Sequence, residues 1–128
     1  MVNETRAIEF RGKPARICRP GEWLVGDLAR WPDGSVAVGS VLSSGTVSEV
    51  VYPETISQFT GLFDKNGNRI FEGDIVRSPN GGIGAVFWDE RNTRYWIKGG
   101  IYGPLSVAAA LAVIGNIHDD PDMAEGIA

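Results

Sequence analysis

A mainly β fold is predicted for this chain of 128 residues from two observations. Glycine and proline are frequent, at 17 and 7 copies, which indicates many turns. Short runs rich in valine, isoleucine and aromatic residues, typical of β-strands, lie between these turns. We therefore predict a short-stranded N-terminal β subdomain (1–58), a C-terminal SH3-like small barrel (59–118) and an acidic C-terminal tail (119–128), with at most one or two short helical turns.

The N-terminal half contains three strand signals. Residues 7–11 alternate apolar and polar side chains, and residues 22–28 form a second short run. Residues 36–52 contain six valines interrupted at Ser43-Ser44-Gly45, which predicts short strands or a hairpin. The composition of 36–52 does not set its register. Residues 53–56 are expected to cross to the second half.

The pair Asn66-Gly67 predicts a two-residue type I′ hairpin turn, because both residues tolerate the positive φ that this turn requires. Asp64 then faces Arg69, and opposite charges across a strand pair are favourable. The same stretch partly matches a calcium-binding EF-hand loop. That match fails at Arg69 and Ile75, where the loop requires glycine and glutamate, so we favour the hairpin.

A second structural turn is predicted at Gly73 and Asp74. Glu72 and Asp74 flank this glycine, and two carboxylates so close together suit general acid–base chemistry. An aspartate at a turn also accepts hydrogen bonds from backbone N–H groups. We favour the structural turn and keep a hydrolase built on Glu72 and Asp74 as a minor alternative.

Residues 83–98 predict an aromatic hairpin with a four-residue loop at 89–92. This register places Val86 opposite Tyr95 on an apolar face that lines the core. The opposite face carries two aromatic residues and two cations: Phe87, Arg94, Trp96 and Lys98. Such a face is typical of a contact within the chain, of a protein interface or of a nucleic-acid stacking platform.

Composition excludes several classes of site. A single cysteine, Cys18, excludes an internal disulfide and a multi-cysteine zinc site. Cys18 and the single histidine, His118, remain a minor candidate for a nucleophile pair, although no local signature supports it. No phosphate-binding loop or dinucleotide fingerprint is present, so no cofactor is predicted. The net charge of −4 disfavours general nucleic-acid binding.

The segment that opens the sequence has no apolar stretch of the kind that secretory signals contain. The longest apolar run, 107–114, has eight residues, whereas a membrane span needs about 20. We therefore predict a cytoplasmic protein with no membrane contact.

Residues 58–76 read QFTGLFDKNGNRIFEGDIV, a block that resembles the signature of the YopX family of phage and prophage proteins. Two flanking stretches agree with it: IEFRGK at 8–13 with GEWLVGDL at 21–28, and VIGNIH at 113–118. The resemblance implies a mainly β fold with an SH3-like C-terminal part. It implies no reaction and no catalytic residue, because the function of the family is uncharacterised.

We therefore predict a non-enzymatic phage or prophage accessory protein that binds a protein partner, or itself as a homo-oligomer, through β surfaces. The alternative is a nucleic-acid-associated module that uses the aromatic and basic strand face. The predicted interaction surface is Phe87, Arg94, Trp96 and Lys98. The predicted structural turns are at Asn66, Gly67, Gly73 and Asp74.

Overall fold

The computed structural model describes residues 7–17, 19, 21–42 and 45–127. The chain divides into two compact units, Met1–Phe59 and Thr60–Ala128, each with its own hydrophobic core. Within the described ranges the fold is mainly β, as predicted, and its strands form two antiparallel sheets.

The first unit contains a sheet whose strands run in the order β4-β3-β2-β1-β5. These strands are β1 (Phe10–Gly12), β2 (Leu24–Arg30), β3 (Val36–Leu42), β4 (Gly45–Val51) and β5 (Ser57–Phe63), with a 3₁₀ turn at Pro53–Thr55 before β5. Strands β1 and β2 each begin two or more residues later than predicted. Strand β5 continues past Phe59 into the second unit, where β6 (Arg69–Phe71) follows it in the sheet.

The valine-rich stretch forms the β3–β4 hairpin, with a register that runs from Val36 opposite Val51 to Leu42 opposite Gly45. Side chains alternate between the two faces of a strand, so Val36, Val38 and Val51 share one face and are buried together. The predicted break at Ser43-Ser44 lies outside the described residues. Burial of alternate valines is therefore what sets the register of this hairpin.

The second unit contains a sheet in the order β10-β9-β8-β7-β11. Its strands are β7 (Asp74–Arg77), β8 (Ile83–Asp89), β9 (Arg94–Gly99), β10 (Gly103–Pro104) and β11 (Ala112–Asn116), with a 3₁₀ segment at Leu105–Ala110 before β11. Its core consists of seven buried residues: Ile70, Val76, Val86, Ile97, Leu105, Ala108 and Leu111. Because β10 and β11 lie at opposite edges, this sheet is open in the described residues, and the small barrel predicted for residues 59–118 does not close.

The acidic segment after residue 118 is more ordered than a tail. It forms helix α1 (Pro121–Ile127), so the described residues contain three short helical segments rather than one or two. Pro121 stands at the first helical position, where its fixed φ favours helix and its missing N–H removes no bond. The amide of Ala124 donates to the Asp120 carbonyl at 3.0 Å, and Asp122 carries negative charge in the first turn. Over the ranges that the structure describes, no helix combines the length and apolarity needed to cross a bilayer.

The turn around Gly67 is not the predicted type I′ turn. Gly67 has φ +81°, but Asn66 does not adopt positive φ. The amide of Gly67 donates to the Asp64 carbonyl at 3.0 Å, and the amide of Asp64 donates to the Asn68 carbonyl at 2.8 Å. These bonds define a three-residue loop, a type I turn followed by a left-handed glycine. The hairpin therefore shifts by one residue, so that Asp64 faces Asn68 and not Arg69.

The Asp64 side chain explains this choice of turn. Its carboxylate accepts hydrogen bonds from the backbone amides of Asn66 at 2.9 Å and of Asn68 at 2.8 Å. An aspartate that bonds to the amides two and four residues ahead stabilises a turn in which those amides point back toward it. The type I′ prediction from Asn-Gly did not include this carboxylate.

Gly67→Val is expected to destabilise the protein by about 1–3 kcal/mol. A Cβ at Gly67 would meet no heavy atom within 4 Å, so the loss comes from forcing a β-branched residue to φ +81°. Thermal melting monitored by circular dichroism measures it. Gly67→Asn is the matched control and should lose less, because asparagine tolerates the left-handed region. An unchanged melting temperature for Gly67→Val would contradict the assigned turn.

Candidate interaction surface

The β8–β9 hairpin has a four-residue loop at 90–93, one position later than predicted. Asp89 pairs with Arg94, Phe87 with Trp96 and Val86 with Ile97. Relative to the predicted register, each β8 residue faces a partner two positions further along β9. A shift of two residues leaves every side chain on the same side of the sheet. The predicted division of the hairpin into two faces is therefore confirmed, although the pairing was wrong.

Asp89 is the reason the loop begins one residue later. Its carboxylate accepts hydrogen bonds from the Asn92 side-chain amide at 2.8 Å and from Arg94 Nε at 3.4 Å. These bonds hold Asp89 in the strand and close the loop beneath it. The Asn92 amide, and then Arg94, hold the pKa of Asp89 below its ordinary value. Thr93 completes the turn with φ +51°, a value uncommon for a residue other than glycine.

One face of the hairpin lines the core of the second unit. Val86 and Ile97 lie opposite each other and are 1% and 0% exposed. Tyr95 packs against the same core. The Trp88 ring contacts the Tyr95 ring edge to face, with 4.9 Å between the ring centroids. Trp88 lies near the hairpin end on the same side of β8 and is 42% exposed, so the core does not extend to this end of the face.

The other face carries the four predicted residues Phe87, Arg94, Trp96 and Lys98, which we call the aromatic–cationic face. The Phe87 and Trp96 rings are half-buried on directly paired positions. The Arg94 Cζ atom lies 3.9 Å from the Trp96 ring centroid, and Lys98 Nζ lies 5.4 Å from the Phe87 centroid. Both cations are exposed, so each ring of the pair has a charged group on its face.

Besides Arg94, two further ring-bearing residues lie near Trp96. Tyr102 contacts it edge to face at 5.6 Å, and Pro104 lies opposite it on β10. The indole Nε1 is buried and has no hydrogen-bond partner within the described part of the chain. A buried donor without a partner costs about 1–3 kcal/mol, and buried tryptophans usually avoid this loss. The orientation of Trp96 is therefore maintained at an energetic cost.

The two cations of the face differ in how far they are neutralised. Arg94 forms an ion pair with Asp89 at 3.4 Å. Lys98 makes no ion pair with any residue that the structure describes. The face therefore has one compensated charge and one charge that remains available.

The turn residues Gly73 and Asp74 join β7 to its neighbours. Gly73 has φ +84°, and its amide donates to the Val86 carbonyl at 2.8 Å. Asp74 is 2% exposed, and its carboxylate accepts hydrogen bonds from the Phe71 amide at 2.8 Å and from Asn116 Nδ2 at 3.1 Å. A buried carboxylate used in this way is positioned for structure, which disfavours the acid–base pairing with Glu72.

Metal and nucleophile chemistry receives no support from the positions described. Within the described ranges, no three histidine, cysteine, aspartate or glutamate side chains form a metal-ligand group. Asp64, the first position of the partial EF-hand match, bonds to backbone amides. The Cys18 of the hypothetical nucleophile pair lies outside the described residues.

A second aromatic–cation cluster lies in the first unit, and the sequence did not predict it. Arg11 Cζ and Lys13 Nζ each lie 4.2 Å from the Trp23 ring centroid. Lys13 is only 8% exposed, and its Nζ donates to the Glu22 carbonyl at 2.8 Å. Arg11 and Lys13 are two residues apart, which places both on one side of an extended segment. Only the pairing of β1 with β2 could have placed Trp23 beside them.

The block at residues 58–76 lies within a region that matches a known protein family. A family model described as "YopX protein" matches residues 34–125. The chain belongs to the YopX family. In this YopX family member the block 58–76 forms most of β5, all of β6 and the first part of β7. The block contains Asp64 and Asp74, the two carboxylates that bind backbone amides of the turns.

Comparison with solved structures gives a relative of the same fold. Protein EF1440 from Enterococcus faecalis is similar to this YopX family member with a TM-score of 0.56 and 21% sequence identity. The match covers 93% of this chain and 99% of EF1440. At this identity the likeness shows the fold. A search of curated proteins returned no match.

Proposed function

We propose that this YopX family member is a non-enzymatic phage or prophage accessory protein that binds a protein partner in the bacterial cytoplasm through its aromatic–cationic face. The observation that carries the proposal is the pairing of two half-buried rings, Phe87 and Trp96, each with a cation on its face. Tryptophan and arginine are enriched among residues that dominate binding energy. An aromatic centre beside exposed charges suits an interface core with a polar rim.

The proposal extends to the architecture of the second unit. Strands β7, β8, β9 and β10 are neighbours in chain order, and β11 returns to pair with β7 after the 3₁₀ segment Leu105–Ala110. We propose that this connectivity is an SH3-like module whose sheet remains open. Such folds host many binding functions, so the fold alone does not indicate which partner is bound.

A nucleic-acid partner is the second candidate, favoured by the same aromatic and basic residues. Bases stack on the open faces of aromatic rings. Here Arg94 lies over the Trp96 ring and Lys98 over the Phe87 ring, so the cations compete with a base for those faces. The net charge of −4 also opposes approach to a polyanion. Both observations favour a protein partner.

Trp96→Ala is expected to weaken partner binding by about tenfold or more, because a large interface anchor is lost. Pull-downs from phage-infected bacterial cells would compare the wild type with Trp96→Ala, and mass spectrometry would identify the retained proteins. Trp31→Ala is the matched control, since Trp31 is 46% exposed in a turn of the first unit. Circular dichroism of each variant checks that the β-structure is retained.

A protein retained by the wild type and by Trp31→Ala, but lost by Trp96→Ala, supports the proposal. Equal retention by all three chains contradicts it. Labelled single-stranded DNA and RNA test the second candidate. Binding that falls steeply with salt and depends on Trp96 would favour a nucleic-acid module.

A further inference from the structure

We propose that the partner of the aromatic–cationic face is a second copy of this chain, and that Lys98 of one copy meets helix α1 of the other in a two-fold dimer. The inference rests on the proposed function and names its partner. It follows from the position of α1 beside the face, from the charges of the two elements and from the symmetry that their combination permits.

Helix α1 lies at one end of the aromatic–cationic face. A cleft of about 530 Å³ separates α1 from the start of β8, with Ile83 on one side and Met123 and Ile127 on the other. Ile83 and Ala85 lie on the same side of β8, and Ala85 pairs with Lys98. The face therefore continues from Lys98 into this largely apolar cleft.

Close approach of the helix depends on a glycine next to Lys98. A Cβ at Gly99 would lie 2.7 Å from Ile127 Cγ2, closer than side chains pack. Gly99 also has φ +131°, which disfavours other residues. The absence of a side chain at this position lets the end of α1 pack against β9 at the residue that follows Lys98 in the chain.

The two elements carry opposite charges. Residues 101–128 contain four acidic residues and no lysine or arginine. On α1, Asp122 and Glu125 are exposed and form no ion pair with the residues that the structure describes. Lys98 is also exposed, and within the described ranges it forms no ion pair. The face and the helix are therefore complementary in charge, and neither neutralises the other within the chain.

A patch that carries both charges next to each other is self-complementary. In a two-fold dimer each contact occurs twice, so Lys98 meets α1 of the second copy and α1 meets Lys98 of the second copy. The half-buried rings of Phe87 and Trp96, together with the apolar cleft, supply the area that such a contact buries. An unrelated acidic protein would pair with the cations of the face, but its negative charges would be repelled by the acidic residues of α1.

Sedimentation equilibrium of the full chain tests the dimer by charge exchange. Lys98→Glu and Glu125→Lys should each raise the dimer dissociation constant by about tenfold, because each variant places like charges together. The double variant K98E/E125K restores opposite charges at both contacts and should recover most of the wild-type affinity. Glu125→Lys places its cation near the helix C-terminus, where positive charge is favourable, so α1 is expected to remain folded.

Lys65→Glu is the matched control, the same charge reversal on an exposed lysine of the β5–β6 turn, and should leave dimerisation unchanged. A wild type that remains monomeric at high micromolar concentration overturns the inference. A double variant no better than the single variants also overturns it. If the wild type is monomeric but still retains a Trp96-dependent partner in pull-downs, the proposed function stands and only the second copy is wrong. If both assays are negative, the proposed function fails as well.

Discussion

Asp64→Ala is expected to lower the free energy of unfolding by about 2–4 kcal/mol. Asp64 is 5% exposed, and its carboxylate accepts hydrogen bonds from the amides of Asn66, Asn68 and Val113 at 2.8 to 2.9 Å. Alanine would leave three amides without their charged acceptor. Val113 belongs to β11, 49 residues away in the chain, so the substitution also removes a hydrogen bond between the turn and that strand.

Urea unfolding monitored by tryptophan fluorescence measures the loss. Asp64→Asn is the control, because asparagine keeps one oxygen acceptor and loses the charge, so its loss should be smaller. Hydrogen bonds to a charged group are stronger than those between neutral groups. The free energy of unfolding should therefore be highest for the wild type, lower for Asp64→Asn and lowest for Asp64→Ala. If Asp64→Ala unfolds within about 0.5 kcal/mol of the wild type, the carboxylate does not stabilise this junction.

The same carboxylate predicts how stability depends on pH. Burial raises the pKa of Asp64, but the amides of Val113, Asn68 and Asn66 together outweigh it, so the pKa lies below its ordinary value. A lowered pKa in the folded state means that ionised Asp64 stabilises the fold above the unfolded pKa of about 3.9. This stabilisation is lost as the pH falls through the folded pKa. Acidification should therefore destabilise the wild type more than Asp64→Asn, and equal acid sensitivity would show that the charge has no such role.

Alternation of apolar residues was sufficient to predict the faces of the sheet but not its pairing. Phe87 and Trp96 share a face with either four-residue loop, because moving the loop by one position shifts the pairing by two residues. Two carboxylates determined the actual registers. Asp64 selected a three-residue loop instead of type I′, and Asp89 extended the strand pair by one step. Side-chain bonds to nearby amides compete with intrinsic turn preference, and a residue pattern does not rank the two.

Features that depend on distant pairing were also missed. Trp23 lies beside Arg11 and Lys13 only because β1 pairs with β2. The open edges of the second sheet were missed for the same reason. Strand signals along the sequence do not show whether the two edge strands pair with each other and close the sheet. The acidic residues that dominate the short segment 119–128 predict a tail, and the sequence pattern does not indicate helix α1.

Ile97→Ala is expected to destabilise the protein by about 2–5 kcal/mol, the range for a fully buried isoleucine. Ile97 is 0% exposed, lies opposite Val86 and belongs to the core of the second unit. Its neighbour Gly84 is buried, and a Cβ there would lie 2.6 Å from Ile97 Cγ2. Gly84→Ala alone should therefore cost about 1–3 kcal/mol through overpacking.

The double variant, Gly84→Ala with Ile97→Ala, distinguishes packing from backbone effects. Shortening Ile97 removes the atom that obstructs a methyl group at Gly84. The summed losses in unfolding free energy of the two single variants should therefore exceed the loss of the double variant by about 1 kcal/mol. The rescue is expected to be partial, because the Ile101 and Lys98 carbonyl oxygens would still lie 3.1 Å from the new Cβ. Urea unfolding of all four chains measures the cycle. Additive losses would mean that these carbonyls, and not Ile97, restrict this position to glycine.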